Sequence, residues 1–191
     1  MTKRRSDAER NRQRLIETAV DLLTADPETN IQEIADASGV GRTTIYRNFA
    51  GREELIEAAL GVVIERSQQA AGELELDPAD PDATIRSLST VHLDLAFRFG
   101  PLIRSQDGDS PTVEEAKDTD DSPTKVFLDA ARELGTIRSD QPREWQQTVM
   151  RTVALTAIAE VEAGVIAKED SYGLVAETLV AILVPADATG S

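Results

Sequence analysis

The chain has 191 residues, 40% of them hydrophobic, so it can bury a core and is not a disordered polymer. Aromatics are only 4% and no strand-like alternation appears, which favours an all-helical protein. The absence of Cys excludes disulfides, thiolate metal sites and Cys nucleophiles. The formal net charge of −15 is unevenly placed: residues 1–54 carry nine Lys/Arg and ten Asp/Glu, the remainder 11 and 25. Six of those nine bases fall in the first fourteen positions. A local basic surface on an acidic chain still attracts phosphates, because salt confines charge effects to about 8–10 Å.

In chain order, Ser6 and Glu9 form a capping-box pattern expected to open the first helix, leaving Lys3-Arg4-Arg5 as a disordered basic arm. Leu15, Ile16, Ala19, Leu22 and Leu23 recur on one face of that helix, and Pro27 ends it. Asn30 with Glu33 marks a second start, and Ser38-Gly39 a stop where Gly can turn left-handed. A third short helix is expected over about 41–48, with Ile45 and Phe49 buried. A fourth follows over about 52–71, with Leu55, Ile56, Ala59, Leu60 and Val63 on one face.

Glu73 to Asp82, with Pro78 and Pro81, reads as a linker. A fifth helix is expected over about 83–99, ended by Gly100-Pro101. Residues 105–123 hold seven acids and two prolines and read as a mobile acidic loop. A helix over about 124–134 ends at Gly135. A long one starts at Asp140 with Pro142 just inside and reaches about Lys168, and a last one spans 171–184. Residues 152–159 carry no charge on any face, so that helix must bury more than one side, as a subunit interface requires. No apolar stretch follows the basic N-terminus, and the weakly polar run 152–167 contains Glu160 and Glu162 and is too short for a membrane span. A cytoplasmic protein without membrane contact is expected.

Residues 30–48 have the layout of a helix-turn-helix: a short helix, a Gly-containing turn and a second short helix, as major-groove insertion needs. Arg42, Thr43, Thr44 and Arg47 are small or polar residues that can face base edges, while Val40, Ile45 and Phe49 face inward. The run Ile34-Ala35-Asp36-Ala37-Ser38-Gly39-Val40-Gly41-Arg42-Thr43-Thr44-Ile45-Tyr46-Arg47-Asn48-Phe49, then Arg52-Glu53-Glu54-Leu55, resembles the DNA-binding signature of the TetR family. The resemblance covers residues 6 to about 60. Gly41 stands where the family frequently has a capping Ser, Thr43 where Gly is common, and Asn48 where His is frequent.

The resemblance implies an all-α protein with a three-helix helix-turn-helix domain at 1–52 and a helical effector-binding and dimerisation domain at 53–191. It implies that Arg42, Thr43 and Thr44 approach base edges, Tyr46 and Arg47 grip phosphates, and Asn30 and Arg52 hold phosphates at helix starts. Arg4 and Arg5 would add phosphate or minor-groove contacts. The implied partners are a palindromic double-stranded DNA operator, an unknown small-molecule effector and a second copy docked through the last two helices, about 142–184. Leu88, Val91, His92, Leu95, Phe127 and Trp145 are the candidate effector contacts, and a largely apolar effector is expected. No metal or cofactor is expected. No phosphate loop, Gly-x-Ser-x-Gly or His-Glu-x-x-His occurs, and one His supplies no triad, so no catalysis is expected. A dimeric ligand-sensing adaptor that does not bind DNA is the alternative, and the intact Arg42, Thr44, Tyr46 and Arg52 argue against it.

Overall fold

The computed structural model describes the backbone of residues 2–104, 110–112 and 121–186, and the side chains of all of these except residues 2–7 and 104. Helices α1 (Thr2–Ala25), α2 (Ile31–Ser38), α3 (Arg42–Asn48), α4 (Arg52–Gly72), α5 (Pro81–Arg104), α6 (Pro123–Leu134), α7 (Arg143–Glu162) and α8 (Lys168–Leu183) make up the fold, with no strand among the described residues. Two compact units arise: one of residues 1–66 and 98–118, the other of 67–97 and 119–191. The 1–52 and 53–191 division expected from the sequence therefore differs from the packing. The buried stripe Leu55, Ile56, Ala59, Leu60 and Val63 keeps the first part of α4 in the first unit.

In the first unit α1 packs on α2 and α3, and Leu15, Ile16, Ala19, Val20 and Leu23 are buried. α1 begins at Thr2, so Lys3-Arg4-Arg5 is helical rather than a disordered arm, and Ser6 lies inside the helix instead of opening it. Lys and Arg are good helix formers, so the run propagates through them. The side chains of Arg4 and Arg5 lie outside the described residues. α5 also departs from expectation: it runs through Gly100-Pro101 to Arg104. Pro101 removes one backbone donor, but continuing the helix keeps Phe99 and Leu102 buried at 1% and 0% exposure.

The core of the second unit gathers Ile85, Leu88, Leu93, Phe127, Leu128, Ile158, Leu179 and Leu183, among others. α5 starts at Pro81, inside the expected linker, where a proline's missing N–H costs nothing. α6 is capped by Ser122 and closed by left-handed Gly135 (φ 72°). The Arg132 guanidinium donates to the carbonyls of Arg138, Ser139 and Gln141 and to Gln146 Oε1, fixing the loop that leads to α7. α7 starts after Pro142 rather than at Asp140 and ends at Glu162, not near Lys168. Gly164 turns left-handed (φ 72°) while Val165 N–H donates to the Glu160 carbonyl (2.9 Å), and this closes the helix. α8 then begins at Lys168, three residues before the expected Ser171.

Most of the expected acidic loop 105–123 lies outside the described residues, but residues 110–112 are anchored within the first unit. Ser110 Oγ donates to Glu57 Oε2 (2.7 Å), and the Thr112 N–H donates to the same oxygen (3.2 Å). Burial acts to raise the Glu57 pKa, but the hydrogen bonds from Thr112 and Ser110 outweigh it and hold the group below its ordinary value. A depressed folded pKa makes this tie fully stabilising above the ordinary carboxylate range and loses it as the pH falls through the folded value. The exchange protection factor of the Thr112 amide should therefore be high at neutral pH, fall across the acid range, and be low at every pH in Glu57→Ala. A factor indifferent to both changes would refute the tie.

Candidate nucleic-acid interface

α2 and α3 are each built from local chemistry. Asn30 Oδ1 accepts from the Gln32 and Glu33 N–H groups (2.9 and 3.1 Å), and Glu33 Oε2 accepts from the Asn30 N–H (2.9 Å). This reciprocal capping box starts α2 as its spacing predicts. Gly39 ends α2 at φ 68°, and the Val40 N–H returns to the Ala35 carbonyl (3.3 Å). Gly41 (φ −60°, ψ 149°) then starts α3 without a side-chain cap.

α3 is buried on one side only. Ile45 and Phe49 are 1% exposed and Val40 is 7% exposed, whereas Arg42, Thr43, Tyr46 and Arg47 are exposed and Thr44 is half-buried. The structure therefore presents four of the five base- and phosphate-facing candidates of α3 together on its open face. Asn48 Nδ2 donates to the Thr44 carbonyl (2.7 Å), which occupies that side chain inside the helix.

Three contacts across the fold were not visible in the sequence. Arg12 on α1 lies over the Phe49 ring, 5.1 Å from its centroid, a favourable cation–π geometry. Gln32 Oε1 accepts from Arg42 Nε, and Gln32 Nε2 donates to Asp36 Oδ1 (2.7 Å). Arg52 donates through Nε to the Thr29 carbonyl (3.2 Å) and through Nη2 to the Pro27 carbonyl. It thus ties the start of α4 to the loop ahead of Asn30, and Asn30 uses its own side-chain oxygen as a cap.

Residues 15–59 match the sequence model of the family described as bacterial regulatory proteins, tetR family. Those residues, α2 and α3 among them, are therefore similar to the N-terminal domain of that family. The HTH-type transcriptional repressor LfrR of Mycolicibacterium smegmatis is 30% identical over 95 residues, 50% of this chain and 48% of LfrR. The match thus spans about half the length of that curated relative. The crystal structure of LfrR from Mycobacterium smegmatis in complex with proflavine is similar in fold, with a TM-score of 0.61 and 22% identity, covering 93% of this chain and 98% of that one. The TetR regulator SCO0520 of Streptomyces coelicolor gives a TM-score of 0.56 at 26% identity, covering 88% of this chain and 97% of its own.

The candidate effector contacts scatter by burial. Leu88 and Phe127 lie in the core of the second unit, and Val91, His92 and Leu95 are half-buried. Burial lowers the His92 pKa, favouring its neutral form. Trp145 is 55% exposed on α7. A cleft of about 350 Å³ between residues 135–140 and 185–186 includes none of the six.

The two turn glycines make opposite demands, although a Cβ on either would meet nothing within 4 Å. Gly39→Ala should lower stability by roughly 1–2 kcal/mol, because only its left-handed backbone resists a side chain. Gly41→Ser should raise stability by a few tenths of a kcal/mol, since Ser supplies the missing cap. Denaturant titrations of both variants check this, and equal effects would refute the assignment of strain to position 39 alone.

Proposed function

We propose that this protein is a cytoplasmic, dimeric, sequence-specific DNA-binding transcriptional repressor that a small-molecule effector releases from a palindromic operator. The observation that carries the reading is the exposed polar face of α3, Arg42, Thr43, Tyr46 and Arg47, held from beneath by buried Ile45 and Phe49. In this reading Arg42, Thr43 and Thr44 address base edges while Tyr46 and Arg47 address phosphates. Asn30 offers the start of α2 to a phosphate. Arg52 adds a phosphate contact through N–H groups other than those that hold Pro27 and Thr29. No described helix is long and apolar enough to cross a membrane, which fits a cytoplasmic site of action.

Dimerisation is assigned to α7 and α8. Trp145, Thr152, Leu155, Thr156 and Ala159 recur at helical spacing on an exposed face of α7, and Gly173, Leu174, Thr178 and Ala181 are exposed on α8. Trp145, Leu155 and Leu174 are 55%, 45% and 48% exposed, a large apolar content for a solvated face. Trp145 thus goes to this face rather than to the effector site, which keeps Leu88, Val91, His92, Leu95 and Phe127. Their largely apolar character fits a largely apolar effector. α4 runs from the first unit into the second, so an effector that prefers one setting of α4 shifts the separation of the two heads.

Selection from random duplex DNA at stated salt should enrich a palindrome whose half-sites lie about 34–36 Å apart, or a multiple of it. Arg47→Ala should weaken binding to all sequences alike and reduce the salt slope by about one. No enrichment by a folded dimer at low and moderate salt overturns the DNA-binding reading. Trp145 is the single tryptophan, so its emission reports the dimer face directly. On serial dilution it should shift to the red as the protein dissociates in sedimentation, whereas emission unchanged through a demonstrated dissociation removes Trp145 from the interface.

A further inference from the structure

We propose that Gln32, on α2, is a specificity-determining positioning residue that aims the Arg42 guanidinium at a base without contacting that base itself. This rests on the DNA-binding reading above and adds a residue that the sequence pattern did not single out. Gln32 lies at the start of α2, and Arg42 is the first residue of α3. The turn between them carries no side chain that holds Arg42. The hold comes instead from the Gln32 amide, whose Oε1 accepts from Arg42 Nε while its Nε2 donates to Asp36 Oδ1 (2.7 Å).

The orientation of that amide is not arbitrary. Rotating it by half a turn would set its NH2 against the guanidinium, which only donates, and its oxygen against the carboxylate, which only accepts. Asp36, four residues along the same helix, therefore locks the amide, and the amide locks Arg42. The arrangement also decides which edge of Arg42 is offered outward. With Nε engaged by Gln32, the paired Nη1 and Nη2 groups remain as the fork, and a guanine presents two acceptors, O6 and N7, to such a fork. An arginine at an exposed helix start has many rotamers, and a base contact must freeze them. Freezing Nε in advance reduces that cost for the guanine geometry and not for others, so the gain falls on discrimination more than on total affinity.

The test is sequence selection with the full chain carrying Gln32→Leu, Arg42→Ala, both together, and the pair Gln32→Glu with Asp36→Asn. The last pair keeps both bonds, since the new carboxylate accepts from Arg42 and the new amide donates back to it. Gln32→Leu should reduce discrimination at one base pair per half-site by about three- to tenfold and leave the other positions unchanged. In the Arg42→Ala background it should change nothing further, and the Gln32→Glu, Asp36→Asn pair should restore the wild-type preference. Undiminished discrimination in Gln32→Leu overturns the proposal. So does a loss that persists without Arg42, because Gln32 would then read the DNA itself, and so does failure of a folded rescue pair. If the wild-type chain enriches no sequence, the DNA-binding reading fails and this proposal falls with it.

Discussion

A helix of seven residues does not persist alone in water, since nucleation fixes several residues for one hydrogen bond. Everything that α3 presents therefore depends on how its inner side is held. Ile45 and Phe49 supply that hold at 1% exposure, with Val40 leading in from the turn. Each such burial contributes about 1.5–3 kcal/mol, which is more than the missing side-chain cap at Gly41 costs. Arg12 over Phe49 adds a charged contact from α1 to the same anchor. The outer side is thereby left to polar residues, of which Arg42 is tied to Gln32 on α2.

That division of labour explains why so much polar chemistry near α3 is spent on backbone. Asn30 and Glu33 satisfy the start of α2, Arg52 satisfies the carbonyls of Pro27 and Thr29, and Glu54 Oε2 accepts from the Ala50 N–H (2.6 Å). Each group fixes the start of α2 or of α4, the helices that precede and follow α3 in the chain. The exposed face is positioned by these fixed ends and by the Gln32–Asp36 pair, not by its own side chains.

What could be read from the sequence was whatever depends on neighbours in the chain. The Asn30–Glu33 box, the Gly39 turn, the stripe at 55–63 and the Gly135 end of α6 involve residues a few positions apart, where spacing is decisive. The family resemblance and the exposed α3 residues followed from the same local run. Contacts set by folding were not legible: Gln32 with Arg42, Arg12 with Phe49 and Arg52 with Pro27 join residues 10 to 37 positions apart. Two punctuation marks also misled. Pro101 did not stop α5, because burial of Phe99 and Leu102 outweighs one lost donor, and Gly164 did stop α7, where the sequence pattern runs the helix on to about Lys168. The effector contacts were the least legible, since apolar residues on helix faces serve a core and a pocket equally well; Leu88 and Phe127 lie among core residues.

The charge distribution places a further demand on the proposed function. Beyond residue 54 acids outnumber bases by 25 to 11, so on average a duplex approaching that part of the chain meets net repulsion within about a Debye length. The head is nearly neutral overall, and exposed Arg42 and Arg47 lie on the open side of α3. A protein arranged in this way gains little from sliding its whole surface along phosphates, and its residence at a site depends on the few groups that α3 presents. The aim of one guanidinium then matters more than it would on a broadly basic surface, because no large non-specific attraction compensates for a poorly placed contact. Acidity in the body and rigidity at Arg42 are in this sense two halves of one arrangement, each raising the share of binding that depends on sequence.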